Sequence, residues 1–182
     1  MANKFYGKYR GKVANNIDPM NLGRVQVTVP SVFGTDQLSW AMPCVPYAGP
    51  QVGFFMLPNV NTSVWVEFEG GDPCYPVWTG CFWETGELPA EATSPAKKLI
   101  KTTGTLFKLD DTPAAGGVQL NANSSVVKMP LTVKLDNNGL LLDASPATLQ
   151  LASENVDLKL AAASVVLSNG SVNLNQGALE VS

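Results

Sequence analysis

The chain contains no histidine. That removes the usual general base of Ser/His and Cys/His catalysis, and one of the two common side chains of zinc sites. Cysteine is scarce: Cys44, Cys74 and Cys81 are an odd set with no close pair, so a zinc site is poorly supported and buried free thiols are expected. Charge is thin as well, with 12 Lys and Arg against 15 Asp and Glu and a formal net charge of −3. Neutralising phosphates needs clustered cations, which argues against nucleic acid as a partner. No apolar run reaches the roughly 18 residues of a membrane-spanning helix. Met1 to Gly7 carry no signal-peptide apolar region, so synthesis in the cytoplasm is expected. Nothing has the form of a glycine-rich phosphate loop.

Residues 118–182 lack Trp, Tyr, Phe and Cys altogether. What they have is alternation, in the runs Leu131-Val133-Leu135, Leu140-Leu142, Leu149-Leu151, Val156-Leu158-Leu160, Val165-Leu167, Val172-Leu174 and Leu179-Val181. Period two is a strand signature, because successive side chains leave opposite faces of an extended chain. Turn residues fall between the runs, at Asn137-Asn138-Gly139, Ser145-Pro146, Ser168-Asn169-Gly170 and Asn175-Gln176-Gly177. One row of Leu and Val per short strand is too thin for a closed single-chain sandwich. It suffices if identical strands of neighbouring chains share one core, as in intertwined or solenoid-like needles. An ordinary small β-domain and a disordered tail are the alternatives, and the regular alternation disfavours disorder.

The N-terminal half reads as a different β unit. Residues 4–14 predict a strand, Asn15 to Pro19 a turn, and Val25 to Val29 a second strand closing a hairpin with a polar tip. A loop of turn and β character spans Ser31 to Gln37, and Val45 to Phe55 is too rich in Pro and Gly for regular pairing, so it is expected to cross a barrel end. In Ser63 to Glu69, Val64, Val66 and Phe68 face one way and Trp65, Glu67 and Glu69 the other. Tyr75 to Phe82 follows after a turn at Gly70-Gly71-Asp72-Pro73. Four or five bent, Gly-punctuated strands in this length suit a small closed barrel such as an OB-fold. Val25, Val27, Val29, Val64, Val66 and Phe68 are its expected core. The fold class is therefore all-β: a barrel over 1–84, a linker of Pro, Ala and Glu over 85–98, and a strand-rich spike over 99–182, with a neck at 99–120 and a needle at 121–182.

Catalysis is not expected. Glu67 and Glu69 share a side of one strand and Asp72, Asp110 and Asp111 sit in turns, but paired carboxylates do acid–base work only in a cleft that splits their pKa values. No catalytic residue, cofactor or metal site is assigned. An alternative function is an oligonucleotide- or carbohydrate-binding OB module with a β-solenoid tail, stacking its ligand on Trp65, Tyr75, Trp78 and Trp83.

The order and spacing of several pieces carry a resemblance: Tyr9-Arg10-Gly11-Lys12-Val13 with Asn16, Asp18-Pro19, and Gly23-Arg24 leading into Val25 to Pro30. Trp40-Ala41-Met42-Pro43, Pro46-Tyr47-Ala48-Gly49, Gly53-Phe54-Phe55 and Pro58 continue it, then Val64 to Asp72, Tyr75 to Gly80, Ile100-Lys101-Thr102 and Leu109 to Pro113. Over residues 6–120 the chain resembles the central spikes of contractile phage tails and related injection systems, including the VgrG spikes of type VI secretion. The tail matches by type only. The resemblance implies an N-terminal OB-fold and a C-terminal triple-stranded, intertwined β-helix built by a homotrimer, and in such a needle the backbone hydrogen bonds are expected to run between chains. It also implies a place in a virion or injection-particle baseplate beneath the tail tube, helping to pierce the target envelope when the sheath contracts. The hub domain fused to VgrG is absent here, implying a separate hub protein above. A His-rich iron-binding apex is impossible, implying a small PAAR-like tip protein at the C-terminal end. The short linker leaves no room for a lysozyme-like domain. In this arrangement Leu151, Leu158, Leu160, Val165, Leu167, Val172 and Leu174 are expected to face the trimer axis.

Overall fold

Alternating Val and bulky residues in the first half close into a five-stranded barrel. The computed structural model describes residues 3–34 and 38–181. Strand β1 (Tyr9–Asn15) pairs antiparallel with β2 (Val25–Thr28), and β2 with β3 (Leu38–Pro43). After a small ladder of β4 (Ala48–Gly49) and β5 (Val52–Gly53), β6 (Ser63–Phe68) pairs antiparallel with both β1 and β7 (Pro76–Cys81). A short parallel contact of β3 with β7, Met42 opposite Val77, closes the ring in the order β1-β2-β3-β7-β6.

Period two places Val13, Val25, Val27, Val29, Val64, Val66 and Phe68 inside, where they are buried together with Ala41 and Trp78. Gly11 is fitted to the β1–β2 contact: a Cβ there would lie 2.7 Å from the Thr28 carbonyl oxygen. Phe5, Tyr9, Phe33 and Phe68 cluster at 5.5–6.2 Å beside this core, two of the four ring contacts edge to face and two tilted, and the Phe5 N–H donates to the Gly71 carbonyl at 2.8 Å.

Several local expectations change. The first strand begins at Tyr9, because residues 4–8 have no neighbouring strand to pair with. Pro30–Phe33 forms one helical turn, with Pro30 at its start where a missing N–H costs nothing; residues 35–37 lie outside the described residues. Between Val45 and Phe55 a two-residue ladder does form, because Gln51 takes a left-handed φ of 61° and folds Ala48 back onto Gly53. Glu69 lies beyond β6, in a 3-10 turn. The cysteines are exposed rather than buried: Cys44 follows β3, Cys74 sits in the β6–β7 turn and Cys81 is the last residue of β7, at the barrel's rim.

The chain divides into two units, Met1–Leu88 and Pro89–Ser182. The second is one antiparallel meander of ten strands in sequence order: β8 (Lys97–Lys101), β9 (Thr105–Asp110), β10 (Gly117–Ala122), β11 (Leu131–Asp136), β12 (Gly139–Ala144), β13 (Ala147–Leu151), β14 (Asn155–Leu160), β15 (Ala163–Ser168), β16 (Ser171–Leu174) and β17 (Leu179–Val181). Each strand bonds to the next in its own chain, so the backbone ladder is satisfied within one protomer. This corrects the expectation that an intertwined needle bonds its strands between chains: the connections are short, four of the nine being two-residue turns, and they make the neighbour in sequence the nearest ladder partner. What is left for other chains is the face of the sheet.

Candidate functional site

The meander is a single layer. All nine buried hydrophobic residues of the described chain lie in the barrel, between Val13 and Trp78, and none in the second unit. A sheet this long needs its apolar face covered.

Register defines that face. Residues directly opposite in an antiparallel ladder share a side, so the pairings can be followed from strand to strand. One row runs Leu109, Val118, Leu135, Leu140, Leu151, Val156, Leu167, Val172. Two residues along, a second runs Phe107, Leu120, Val133, Leu142, Leu149, Leu158, Val165, Leu174. A third contains Thr105, Ala122 and Leu131, then Ala144, Ala147, Leu160 and Ala163. All three rows are on the same side, because their members are two residues apart in every strand.

Hence Leu151, Leu158, Leu160, Val165, Leu167, Val172 and Leu174 occupy one face, with Leu158 and Leu160 more than half exposed in the single chain, at 53% and 59%. Burying a half-exposed leucine gains about 1 kcal/mol. Ten positions in the three rows are 36–59% exposed, which gives on the order of 10 kcal/mol per chain, enough to drive association once its entropic cost is met.

The opposite face is built for water. Lys134 meets Asp136 at 2.5 Å and Lys159 meets Asp157 at 3.2 Å, each pair two residues apart on one strand. Asn121 donates to Thr132 across the β10–β11 ladder at 2.9 Å. The Lys134 ammonium is the main influence holding the Asp136 carboxyl below its ordinary pKa, and the Thr112 hydroxyl does the same for Asp110. Leu99, Leu106, Leu141 and Val166 interrupt this polar side as half-buried exceptions.

In the barrel, one ionic cluster organises the β1–β2 connection. Asp18, buried in the loop, takes the Arg24 guanidinium at 2.7 Å and accepts backbone N–H groups from Met20, Leu22 and Arg24 at 2.8–3.2 Å. The Arg24 guanidinium, foremost, pushes the Asp18 carboxyl far below the usual range. Arg24 also lies over the Trp40 ring, 5.4 Å from its centroid. Sequence reading placed Asp18 and Arg24 in the resembling motif but did not pair them. The signal was there, in the Asp of an Asp-Pro turn six residues ahead of the Arg of Gly-Arg.

Four of the five carboxylates weighed for catalysis make other contacts. Glu67 pairs with Lys8 at 2.6 Å, Asp111 with Lys98, and Asp72 and Asp110 accept turn N–H groups. The four aromatics considered for ligand stacking do not form one platform. Trp78 is in the core, and Trp65 is covered by Phe82 at 4.7 Å and by Arg10. Tyr75 and Trp83 are exposed at opposite ends of β7, about 20 Å or more apart along an extended strand. Among the described residues no three or more His, Cys, Asp or Glu side chains are grouped to hold a metal ion, and no helix is long and apolar enough to cross a membrane.

Two family models match the chain and together cover most of it. Residues 9–83 match the type VI secretion system/phage-baseplate injector OB domain. Residues 97–180 match the phage baseplate V C-terminal trimerisation domain. No curated protein matches the chain.

Proposed function

The chain belongs to the phage baseplate V family, and from that premise we propose that it is the homotrimeric central spike beneath the tail tube, helping to pierce the target envelope on sheath contraction. As a member it is a structural component of a phage baseplate or related injection particle, with an OB domain followed by a domain that self-associates as a homotrimer. The observation that carries the finer reading is the one-layer sheet, with three apolar rows on one face and, among the described residues, no buried hydrophobic side chain in its own unit.

The proposed mechanism is mechanical. Three sheets closing their apolar faces on one another bury the rows at once, and the short turns keep each ladder inside its own protomer. Ten strands at about 4.8 Å give a stack on the order of 45 Å, stiff along the stacking direction because every layer is hydrogen-bonded to the next. Load passes through the body without chemistry, and no catalytic residue or cofactor has a role. In this reading the chain is made in the cytoplasm and built into the particle there. A separate hub protein joins it above, a small PAAR-like tip protein ends it, and contact with the target envelope is transient.

Light scattering on the purified chain tests the trimer, and a mass of three chains that persists in mild SDS is expected. Particles assembled without this chain should then contract normally yet fail to permeabilise target cells. A monomeric mass would overturn the reading and favour the ligand-binding OB module; full puncturing activity without the chain would remove the piercing role.

A further inference from the structure

The apolar face is not symmetric across its width. Its middle row is large throughout, and so is the row on one side, with Leu135, Leu151 and Leu167. The row on the other side is mostly small, with Ala122, Ala144, Ala147 and Ala163. Adjacent rows are two residues apart, about 6.6 Å, so the two flanks are separated by about 13 Å within a protomer.

Three such faces closed around one axis form a three-sided body. A six-residue strand spans about 20 Å, and the middle of a triangle side that long lies about 6 Å from the centre. That is close to half the roughly 10 Å between packed sheets, so side chains of the middle row fill the axis. The flanking rows then meet at the corners. A threefold axis brings each flank of one sheet against the opposite flank of the next, which makes the corner contact heterologous. Each acute corner therefore receives one large row and one small row.

We propose that the trimer is held at its corners by a leucine–alanine seam, in which the Leu135/Leu151/Leu167 flank of one protomer packs on the Ala144/Ala147/Ala163 flank of the next. The inference rests on the homotrimer of the preceding section and adds its packing arrangement. Only the middle row, with Leu158 and Val165, points at the axis. Leu151 and Leu167 on one flank and Leu160 on the other belong to the corners.

A double-mutant cycle in the full chain tests the seam. Ala147 and Leu151 stand four residues apart on β13, too far to touch within a protomer, and side chains that far apart contribute additively. Ala147→Leu crowds the corner and Leu151→Ala empties it, so each lowers the dissociation temperature of the trimer by several degrees. The double variant recovers most of the loss, because the enlarged residue of one chain fills the space vacated on the next. Strictly additive losses would overturn the seam while leaving the trimer intact.

If the variants assemble poorly, disulfide trapping decides. With Cys44, Cys74 and Cys81 replaced by Ser, Ala147→Cys is combined in turn with Leu140→Cys, Leu151→Cys or Val156→Cys, the large-flank residues of three consecutive strands. At least one pair should give covalent trimers on non-reducing SDS gels, and Ala147→Cys alone should give no crosslink. Covalent dimers from Ala147→Cys alone, or no crosslink from any pair, would overturn it. A monomeric mass of the unaltered chain would show that the homotrimer itself had failed.

Discussion

Arg24 reaches back across the β1–β2 connection to grip Asp18, Nη2 to Oδ1 at 2.7 Å, while three backbone N–H groups of the same loop converge on the same carboxylate. A carboxylate held this way is favoured in its charged form, and its pKa is depressed in the folded chain. The stabilisation is therefore fully present above the unfolded value of about 3.9 and is lost as pH falls toward the folded one. Asp18→Asn should lower the melting temperature of the barrel at pH 7. The gap between variant and parent should narrow below about pH 4 and close only well below the ordinary carboxylate range. Thermal melts from pH 7 to pH 2 measure this; a gap independent of pH would mean that the loop is held by shape alone.

The barrel core carries its own prediction. Val66 is fully buried between β1 and β7, opposite Tyr9 and Trp78. Val66→Ala removes two buried carbons and leaves a small cavity, at a cost of about 2–3 kcal/mol. Because the barrel and the sheet are separate compact units, the loss should appear in the barrel's unfolding transition while the mass in solution remains that of three chains. Denaturant unfolding followed by tryptophan fluorescence reports the barrel alone, since residues 118–182 contain no Trp and all four tryptophans lie between Trp40 and Trp83.

Much of this architecture is readable from period two. Alternation in Leu131 to Leu135 or Val156 to Leu160 marks a strand and shows which side chains share a side, before any partner is known. It does not show which strand bonds to which, and so the ladder of the meander, satisfied inside one chain, was mistaken for one running between chains. Composition also misled for the cysteines. A free thiol behaves as a small hydrophobe on average, but Cys44, Cys74 and Cys81 stand at strand ends and in a turn, where position outweighs type. The difference between the leucine and alanine flanks was present in the letters too. It had no meaning until register placed Ala147 opposite Leu160 and Leu151 opposite Val156.

Gly139 closes the β11–β12 turn with φ at 99°, and a Cβ there would lie 1.9 Å from the Leu151 carbonyl oxygen on β13. Gly170 has nearly the same φ, 96°, in the β15–β16 turn, yet a Cβ on it would meet nothing within 4 Å. Substitution by Ala strains both backbones by about 1 kcal/mol. Only Gly139→Ala also forces β13 away, so it should cost more than about 2 kcal/mol in total and lower the dissociation temperature clearly, whereas Gly170→Ala should cost about half as much or less. Equal effects of the two variants would show that the turn conformation matters and the close approach to β13 does not.

Leu158 and Leu141 test which face of the sheet assembles. Leu158 lies in the middle apolar row, opposite Leu149 and Val165. Leu141 lies on the other side, opposite Lys134 and Gln150. Leu158→Asp would bring three unpaired carboxylates together where the faces close, and each buried charge without a partner costs several kcal/mol. Leu158 is exposed in the single chain, so the substitution acts when the faces close. The expected result is therefore loss of the three-chain mass by light scattering, with the barrel, a separate compact unit, still folded. Leu141→Asp sets a carboxylate across the ladder from the Lys134 ammonium and should leave the mass of three chains unchanged. A Leu158→Asp protein that assembled with normal mass and SDS resistance, or a Leu141→Asp protein that fell apart, would place the interface on the polar side.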